Sequence, residues 1–364
     1  MRKVFIIFIC TLFSLNICAQ QPTVSATGIT FKYCIATEGT FEVSVEVGEL
    51  PYHRDGFTFP AFGTYTRTIQ NARGCDSIVT YTISQAPYGF TINSNGDKVA
   101  FSPGNLQYRA TSNGVAGDLN HIVRGGGTKP GEFRFAEHQW DFVGDNSYGT
   151  VYIGNTKCSN SQTSSTYKGW IDLFAFGSSG YQIDPYSTSS STYAEVSFGP
   201  TASENNRKYD WGYYNTIGND APGTWRSLTK EEWEYLFSSR AGYSTRRYAA
   251  IVHGVEGLIL LPDAWINPGV SLSQTIRYYS NNTLTDAQWT SMEENGAIFI
   301  PKGGYRSGTS VNEVGSNLQG YIWTSTYNSS GTAWRLYMNT SNSDITISSY
   351  SAGSGRCVRL VKDL

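Results

Sequence analysis

A chain of 364 residues with a formal charge of −2 and only 15% charged residues lacks the basic excess that nucleic-acid binding or a polybasic membrane contact needs. Its 25 Tyr, nine Trp and 38 Gly suit a Gly-turned, strand-rich extracellular protein. The length accommodates one large domain, or a small domain beside a larger one.

At the N-terminus, Arg2 and Lys3 precede the apolar run "VFIIFICTLFSL". Ile17 and Ala19 stand at the −3 and −1 positions of a signal-peptidase site, so residues 1–19 are expected to be removed and Gln20 to begin the mature chain. Lipidation at Cys18 is the competing reading, and the bulk of Ile17 disfavours it. No later stretch approaches the roughly 20 apolar residues of a membrane helix. The mature chain is therefore expected to be exported, without a membrane span.

Cysteine usage fits that compartment. With Cys10 and Cys18 in the signal, Cys34, Cys75, Cys158 and Cys357 remain, an even number in an oxidising environment. Four cysteines allow three pairings. Cys34–Cys75 with Cys158–Cys357 is favoured because neither bridge crosses a domain boundary; two buried thiols are the alternative for the second pair. No CxxC or Cys/His cluster is present, so no metal and no cofactor is expected.

Residues 20–86 read as a small β module. "TFEVSVEVG" and "SIVTYTISQ" alternate as half-buried strands do, and "FGTYTRTIQNARGCDSIVTYTI" reads as a strand, an Asn-Ala-Arg-Gly turn and a second strand. Asp76-Ser77-Ile78 fits a three-residue O-glycosylation pattern, although Asp76 serves equally as the cap of the turn. Residues 87–98 form a linker and first strand. From "VAFSPGNLQY" onward, over 99–364, Trp, Tyr and Gly dominate, with short Ser/Thr-rich surface loops.

Two hexamers, Leu228–Trp233 and Leu284–Trp289, share the pattern Leu-Thr-x-x-(Glu/Gln)-Trp. In each, Thr at the N-cap and Glu232 or Gln288 three residues on form a capping box, and Leu with Trp form a hydrophobic staple. The carboxylates of Glu231, Glu232 and Glu234 read as helix N-terminal charges rather than as acid–base groups. Each helix precedes a continuous apolar run between Gly and Pro, residues 257–262 and 296–301, expected as buried strands.

Hydrolase and nucleotide signatures are absent: there is no Gly-x-Ser-x-Gly, His-Glu-x-x-His or P-loop. His53, His121, His138 and His253 are scattered. Glu137, His138 and Asp141 are the one acid/imidazole group, expected as a satisfied polar network. No enzymatic activity is expected.

Several phrases carry a resemblance. "GTYT" with "GCDSIVT" (63–66 and 74–80) resembles a short β-sandwich repeat of secreted Bacteroidetes surface proteins, which an upstream cysteine, here Cys34, accompanies. "TWRSLTKEEWEYLFSSR", "GGYRSG", "GYIWTSTYNSS" and "GRCVRLV" resemble the formylglycine-generating-enzyme-like branch of the C-type lectin fold. "FSPGNLQY", "FRFAEHQWDFVG", "GWIDLFAFGSSG" and "YDWGYYNTI" resemble secreted paralogous domains of Bacteroidetes and Fibrobacter, the Fibrobacter succinogenes major paralogous domain among them. The resemblance implies an α+β, C-type lectin-like domain over 99–364, with two helices, a mixed β core and long loops, behind a small all-β sandwich-like module. It also implies an extracellular or outer-surface location on a Gram-negative bacterium.

Calcium-dependent sugar binding is not expected. Glu-Pro-Asn and Gln-Pro-Asp loops are missing, Trp323-Thr324-Ser325 replaces Trp-Asn-Asp, and Asp344 alone cannot supply the six to eight oxygens that calcium takes. The reactive cysteine pair of the formylglycine-generating enzymes is reduced to Cys357. Within 327–351, Asn, Ser, Thr and Tyr make 16 of 25 positions, a composition suited to adaptable contact surfaces. The expectation is a binding or adhesion module for a protein or glycan ligand at the cell surface. Its contacts are expected at Tyr327, Asn328, Trp334, Tyr337, Asn339 and Asn342, with Tyr305 and Arg306 from the preceding loop. A purely structural, surface-assembly role is the first alternative, and an enzyme related to the formylglycine-generating oxidases the second.

Overall fold

The computed structural model describes residues 15–17, 23–25, 28–30, 35–70, 76–110, 122–123, 127–128, 131–142, 170–186, 195–274, 278–307, 310–312, 319–339 and 345–364. The chain divides into two compact units, Met1–Pro87 and Tyr88–Leu364. It is α+β and strand-rich, with several small sheets.

In the first unit, strands β1 (Leu15–Ile17), β2 (Thr23–Ser25), β3 (Gly28–Thr30) and β4 (Ile35–Val45) precede a short hairpin of β5 (Tyr52–Arg54) and β6 (Phe57–Phe59). β7 (Gly63–Gln70) and β8 (Asp76–Gln85) follow. The main sheet runs β1-β4-β8-β7. The expected hairpin is present, with Gln70 opposite Asp76, whereas β4 lies parallel to β8, with Phe41 opposite Tyr81. β1 falls inside the expected signal segment, so cleavage after Ala19 would free that edge of β4. Alternation along β8 buries Tyr81 and Ile83 against Val45 and Phe59 and turns the intervening residues outward. Ser77 is 3% exposed, so the folded module does not offer its hydroxyl for glycosylation. Cys34 and Cys75 lie outside the described residues.

The second unit begins with β9 (Phe90–Thr91) and β10 (Lys98–Phe101), so part of 87–98 is strand and Phe90 and Ile92 are core residues. β11 (Leu106–Ala110), β12 (Ile122–Val123), β13 (Gly127–Thr128) and β14 (Gly131–Phe135) come next. Two single-turn helices follow, α1 (Glu204–Arg207) and α2 (Trp211–Tyr214), which the sequence pattern did not announce. Then come β15 (Arg226–Ser227), α3 (Lys230–Ser238), β16 (Arg247–Val252), β17 (Val255–Leu260), α4 (Asp286–Glu294) and β18 (Ile298–Pro301). The chain closes with β19 (Tyr305–Ser307), β20 (Ser310–Asn312), β21 (Gly320–Tyr327), β22 (Thr332–Met338), β23 (Ile345–Ser351) and β24 (Leu360–Asp363).

Both long helices start where the hexamers place them. Thr229 and Thr285 are the N-caps, and each accepts from the N3 backbone while Glu232 or Gln288 accepts from the cap's own N–H. Leu228, Trp233, Leu284 and Trp289 are all buried in one cluster, with the apolar runs of β17 and β18 beside them. Those two runs pair antiparallel, Leu258 opposite Ile300. Gly257 is obligatory in that pairing: a Cβ there would lie 2.4 Å from both the Ile300 carbonyl oxygen and the Phe299 ring. His253 and Gly254, both at positive φ, form the two-residue turn joining β16 to β17, as a type I′ hairpin requires. The last strand closes the unit: β24 sits between β10 and β15 in the sheet β15-β24-β10-β9.

Candidate functional site

The sheet β21-β22-β23 carries the segment singled out by composition. Its strands are rich in β-branched and aromatic residues, and alternation divides them into two faces. On one face Ile322 pairs with Leu336, Leu336 pairs with Ile347, and all three belong to or pack on the larger core cluster. On the other, Tyr321 lies opposite Tyr337, Trp323 opposite Arg335, Arg335 opposite Ser348 and Ala333 opposite Tyr350.

That second face assembles an aromatic and guanidinium cluster. Tyr321 and Tyr337 stack at 5.4 Å and 11°, and Tyr305 meets Tyr321 edge-on at 6.2 Å. The Arg335 guanidinium carbon lies 4.3 Å from the centroids of both Tyr321 and Tyr350. Arg356 lies 4.3 Å from Tyr321 and 4.9 Å from Tyr350. Two cations thus share the faces of the same rings, an arrangement electrostatically favoured by the aromatic quadrupole. Arg356 is fully buried and Arg335 nearly so, whereas Tyr350 remains 48% exposed over both. Trp323 forms the floor, its indole N–H donating to the Phe174 carbonyl at 2.7 Å.

At the Tyr337 end the cluster adjoins Tyr279, whose hydroxyl donates to the Asn339 carbonyl at 3.2 Å. Burial raises the Tyr279 hydroxyl pKa, with Glu256 and Tyr337 adding to the shift. Buried Lys302 places Nζ 4.3 Å from the Tyr279 ring and donates to Glu256 at 2.7 Å. Burial lowers the Lys302 ammonium pKa, and Glu256 opposes that shift.

Of the residues expected to contact a ligand, Tyr305 and Tyr337 sit in this cluster and Asn339 at its margin. Arg306 does not face solvent: it is wholly buried, and its guanidinium donates to the carbonyls of Leu173 (2.9 Å), Tyr186 (2.7 Å) and Pro185 (3.1 Å). Burial lowers it to about 10 against the upward pull of Asp172 and Asp184. It serves as an internal cation bracing three carbonyls. Trp334 lies on the opposite face, with Lys230 Nζ 4.7 Å from its ring. Tyr327 ends β21 and Asn328 opens the turn to β22: the Tyr327 hydroxyl accepts from Gly331 N, and Asn328 Nδ2 donates to Thr332 Oγ1. Asn342 lies outside the described residues.

Tyr321, Arg335, Tyr350, Arg356 and Tyr279 were missed. The period of two in "GYIWTSTY" and "TAWRLYM" already aligns Tyr321 with Trp323 and Arg335 with Tyr337. Nothing local marks Arg356 or Tyr279.

Cys357 is a buried free thiol, so the Cys158–Cys357 bridge is not formed and the buried-thiol alternative describes Cys357; Cys158 lies outside the described residues. Its Sγ is packed where a Cβ on Gly303 would approach to 2.7 Å. Burial first of all, and then Asp172, push the thiol pKa upward, opposing the thiolate that a reactive cysteine requires.

The acid/imidazole group forms a stack. His138 and His253 both stack on Trp140, with ring centroids 4.6 and 3.8 Å away, and their Nδ1 atoms lie 3.2 Å from Asp141 and Asp286 respectively. Among the described residues no group of three or more His, Cys, Asp or Glu could hold one, and no helix is long and apolar enough to cross a membrane. Comparisons of the chain with protein-family models, with curated proteins and with solved structures find no match.

Proposed function

We propose that the chain is an exported, non-enzymatic binding or adhesion module, and that residues 88–364 form a C-type lectin-like domain of the paralogous type that its motifs resemble. The two capped nine-residue helices, the small sheets and the pairing of the last strand with the first strands of the unit support the fold reading. One observation carries the functional reading: Tyr305, Tyr321, Tyr337 and Tyr350 gather around Arg335 and Arg356 on a single face of β21-β22-β23. Tyrosine presents large contact area at low entropic cost, and Ser348, Thr346 and Asn339 beside it offer adaptable hydrogen bonds.

The ligand lies on this face, at the cell surface, and is a glycan or a protein. A glycan array combined with a cell-surface pull-down tests this, comparing the mature chain with a Tyr337→Ala/Tyr350→Ala double variant. Loss of the captured ligand by the double variant alone supports the site. Undiminished capture by a folded double variant places the ligand elsewhere.

A further inference from the structure

We infer that β23 is a dimerisation edge: it pairs antiparallel with β23 of a second copy of this chain, about a two-fold axis through Ser348, and joins two β21-β22-β23 sheets into one. The inference concerns the edge of the sheet and holds whatever ligand its tyrosine face takes.

The two edges of this sheet differ. Along β21, Trp323 N donates to the Cys357 carbonyl at 3.1 Å and Ser325 N to the Leu228 carbonyl at 2.8 Å, while the Ser325 carbonyl accepts from Phe198 N at 3.0 Å. The edges of β14 and β16 are bonded in the same way, by Gly218 and Leu284. Among the described residues β23 pairs with β22 alone, and none of its seven residues is fully buried. Ala352 N donates to the Gly331 carbonyl in step with the β22–β23 register. Thr346, Ser348 and Tyr350 therefore direct their backbone groups at β22, and Ile345, Ile347 and Ser349 direct theirs outward. Native sheet edges are ordinarily guarded by charges, proline or bulges. The strand "ITISSYS" contains no charged residue and no proline, and its pairing with β22 runs without a register shift.

Such an edge fits its own copy. A two-fold axis through Ser348 sets Ile347 opposite Ser349 of the second copy, both with outward N–H and C=O groups, as a hydrogen-bonded pair requires. Tyr350 then meets Thr346 of the second copy, a favourable aromatic–β-branched pair, and no like charges are opposed. Ile345 and Ile347, only half-buried against the core because the sheet ends there, gain cover. Since the β21 edge is already bonded, the assembly closes at two copies instead of growing. A contact of one strand from each copy is small, so the dimer is reversible and half formed at about 10–100 μM.

Sedimentation equilibrium on the mature chain, from about 1 to about 500 μM, is expected to show the mass rising toward twice the monomer value. Ser349→Pro removes an outward N–H and no bond to β22, so that variant is expected to fold and to need at least about tenfold more protein for the same dimer fraction. Mild oxidation of two cysteine variants reads the register. Ser348→Cys, at the axis, is expected to form an intermolecular disulfide, identified by peptide mass, because directly opposed Cα atoms lie about 4.5 Å apart, within disulfide range. Ser349→Cys faces Ile347 of the second copy and is expected not to crosslink at that position. A chain that stays monomeric at about 500 μM overturns the inference. So does a dimer that the folded Ser349→Pro variant retains in full, since it is then held elsewhere. Crosslinking of the Ser349→Cys variant in place of the Ser348→Cys variant overturns it as well. If the proline variant does not fold, the two cysteine variants decide alone, because neither alters a backbone hydrogen-bonding group.

Discussion

Trp334 and Tyr337 lie on opposite faces of β22, the first with Lys230 Nζ 4.7 Å from its ring, the second stacked on Tyr321 at 5.4 Å. An odd separation along a strand inverts the side-chain direction, so these two aromatic residues cannot serve one ligand. Tyr337→Ala is expected to weaken capture of the surface ligand by about 1–2 kcal/mol, while Trp334→Ala leaves it unchanged. Affinity measured side by side on the two variants decides this, and equal losses would contradict the division of faces.

Arg306 presents a different case, since its loss strands three carbonyl oxygens and removes the cation facing Asp172 and Asp184. Removing one partner from a buried polar network costs about 3–5 kcal/mol. Arg306→Met is expected to lower the unfolding free energy by that amount in urea denaturation. A loss below about 1 kcal/mol, typical of a surface substitution, contradicts the bracing role.

The two capping boxes differ in what surrounds them. Glu232 also accepts both terminal nitrogens of Arg226 at 2.9 Å, and Arg226 bonds Asp363 of β24, whereas Gln288 has no such partner among its hydrogen bonds. Glu232→Gln keeps the cap but loses the charge-assisted pair, at an expected cost of about 1–2 kcal/mol. Gln288→Glu, at an exposed helix N-terminus, is expected to change stability by less than about 0.5 kcal/mol. Thermal unfolding of both variants reads the asymmetry directly.

Asp210 supplies a pH dependence. Its carboxylate is buried and accepts from Ser227 N and Gly212 N, and burial lifts it from 3.8 to about 6 against those two hydrogen bonds. A folded value above the unfolded one means that the folded state holds more protons between about pH 4 and pH 6, so this contribution is present in acid and lost as pH rises through that window. The stability of the wild type minus that of Asp210→Asn is therefore expected to fall by up to about 3 kcal/mol from pH 4 to pH 7. Denaturant melts across that range test the sign, and a rising difference would refute it.

Cys357 is expected to resist maleimide in the native protein and to react fully once unfolded in denaturant without reductant. Failure to react in denaturant would mean that the sulfur is already bonded.

How legible the site was depends on the range of the forces involved. The helix starts at Thr229 and Thr285 could be read because a capping box closes within three residues. The strands at 257–262 and 296–301 could be read because continuous apolar runs have few other places to go. The burial of Ser77, between an exposed Asp76 and an exposed Ile78, was present in the alternation of β8, but the modification pattern spans the same residues and obscured it.

Arg306 and Arg356 show the limit. A charged side chain is ordinarily placed at the surface, and only the convergence of Leu173, Pro185 and Tyr186 carbonyls from a distant segment creates an interior position for Arg306. Arg356, in a segment read as a closing strand, joins Arg335 only because 355–357 packs beside β19 and β21.

The sequence by itself determined the local instructions: where two helices begin, which runs are buried and which segment is rich in Tyr, Asn, Ser and Thr. Those depend on bonds and periodicities contained within a few residues. The tertiary structure alone decided which of those residues share a face, because register brings Tyr321 to Tyr337 and alternation turns Trp334 away. It also decided which arginines became interior cations, since their partners are backbone oxygens and aromatic faces that no stretch of sequence places next to them.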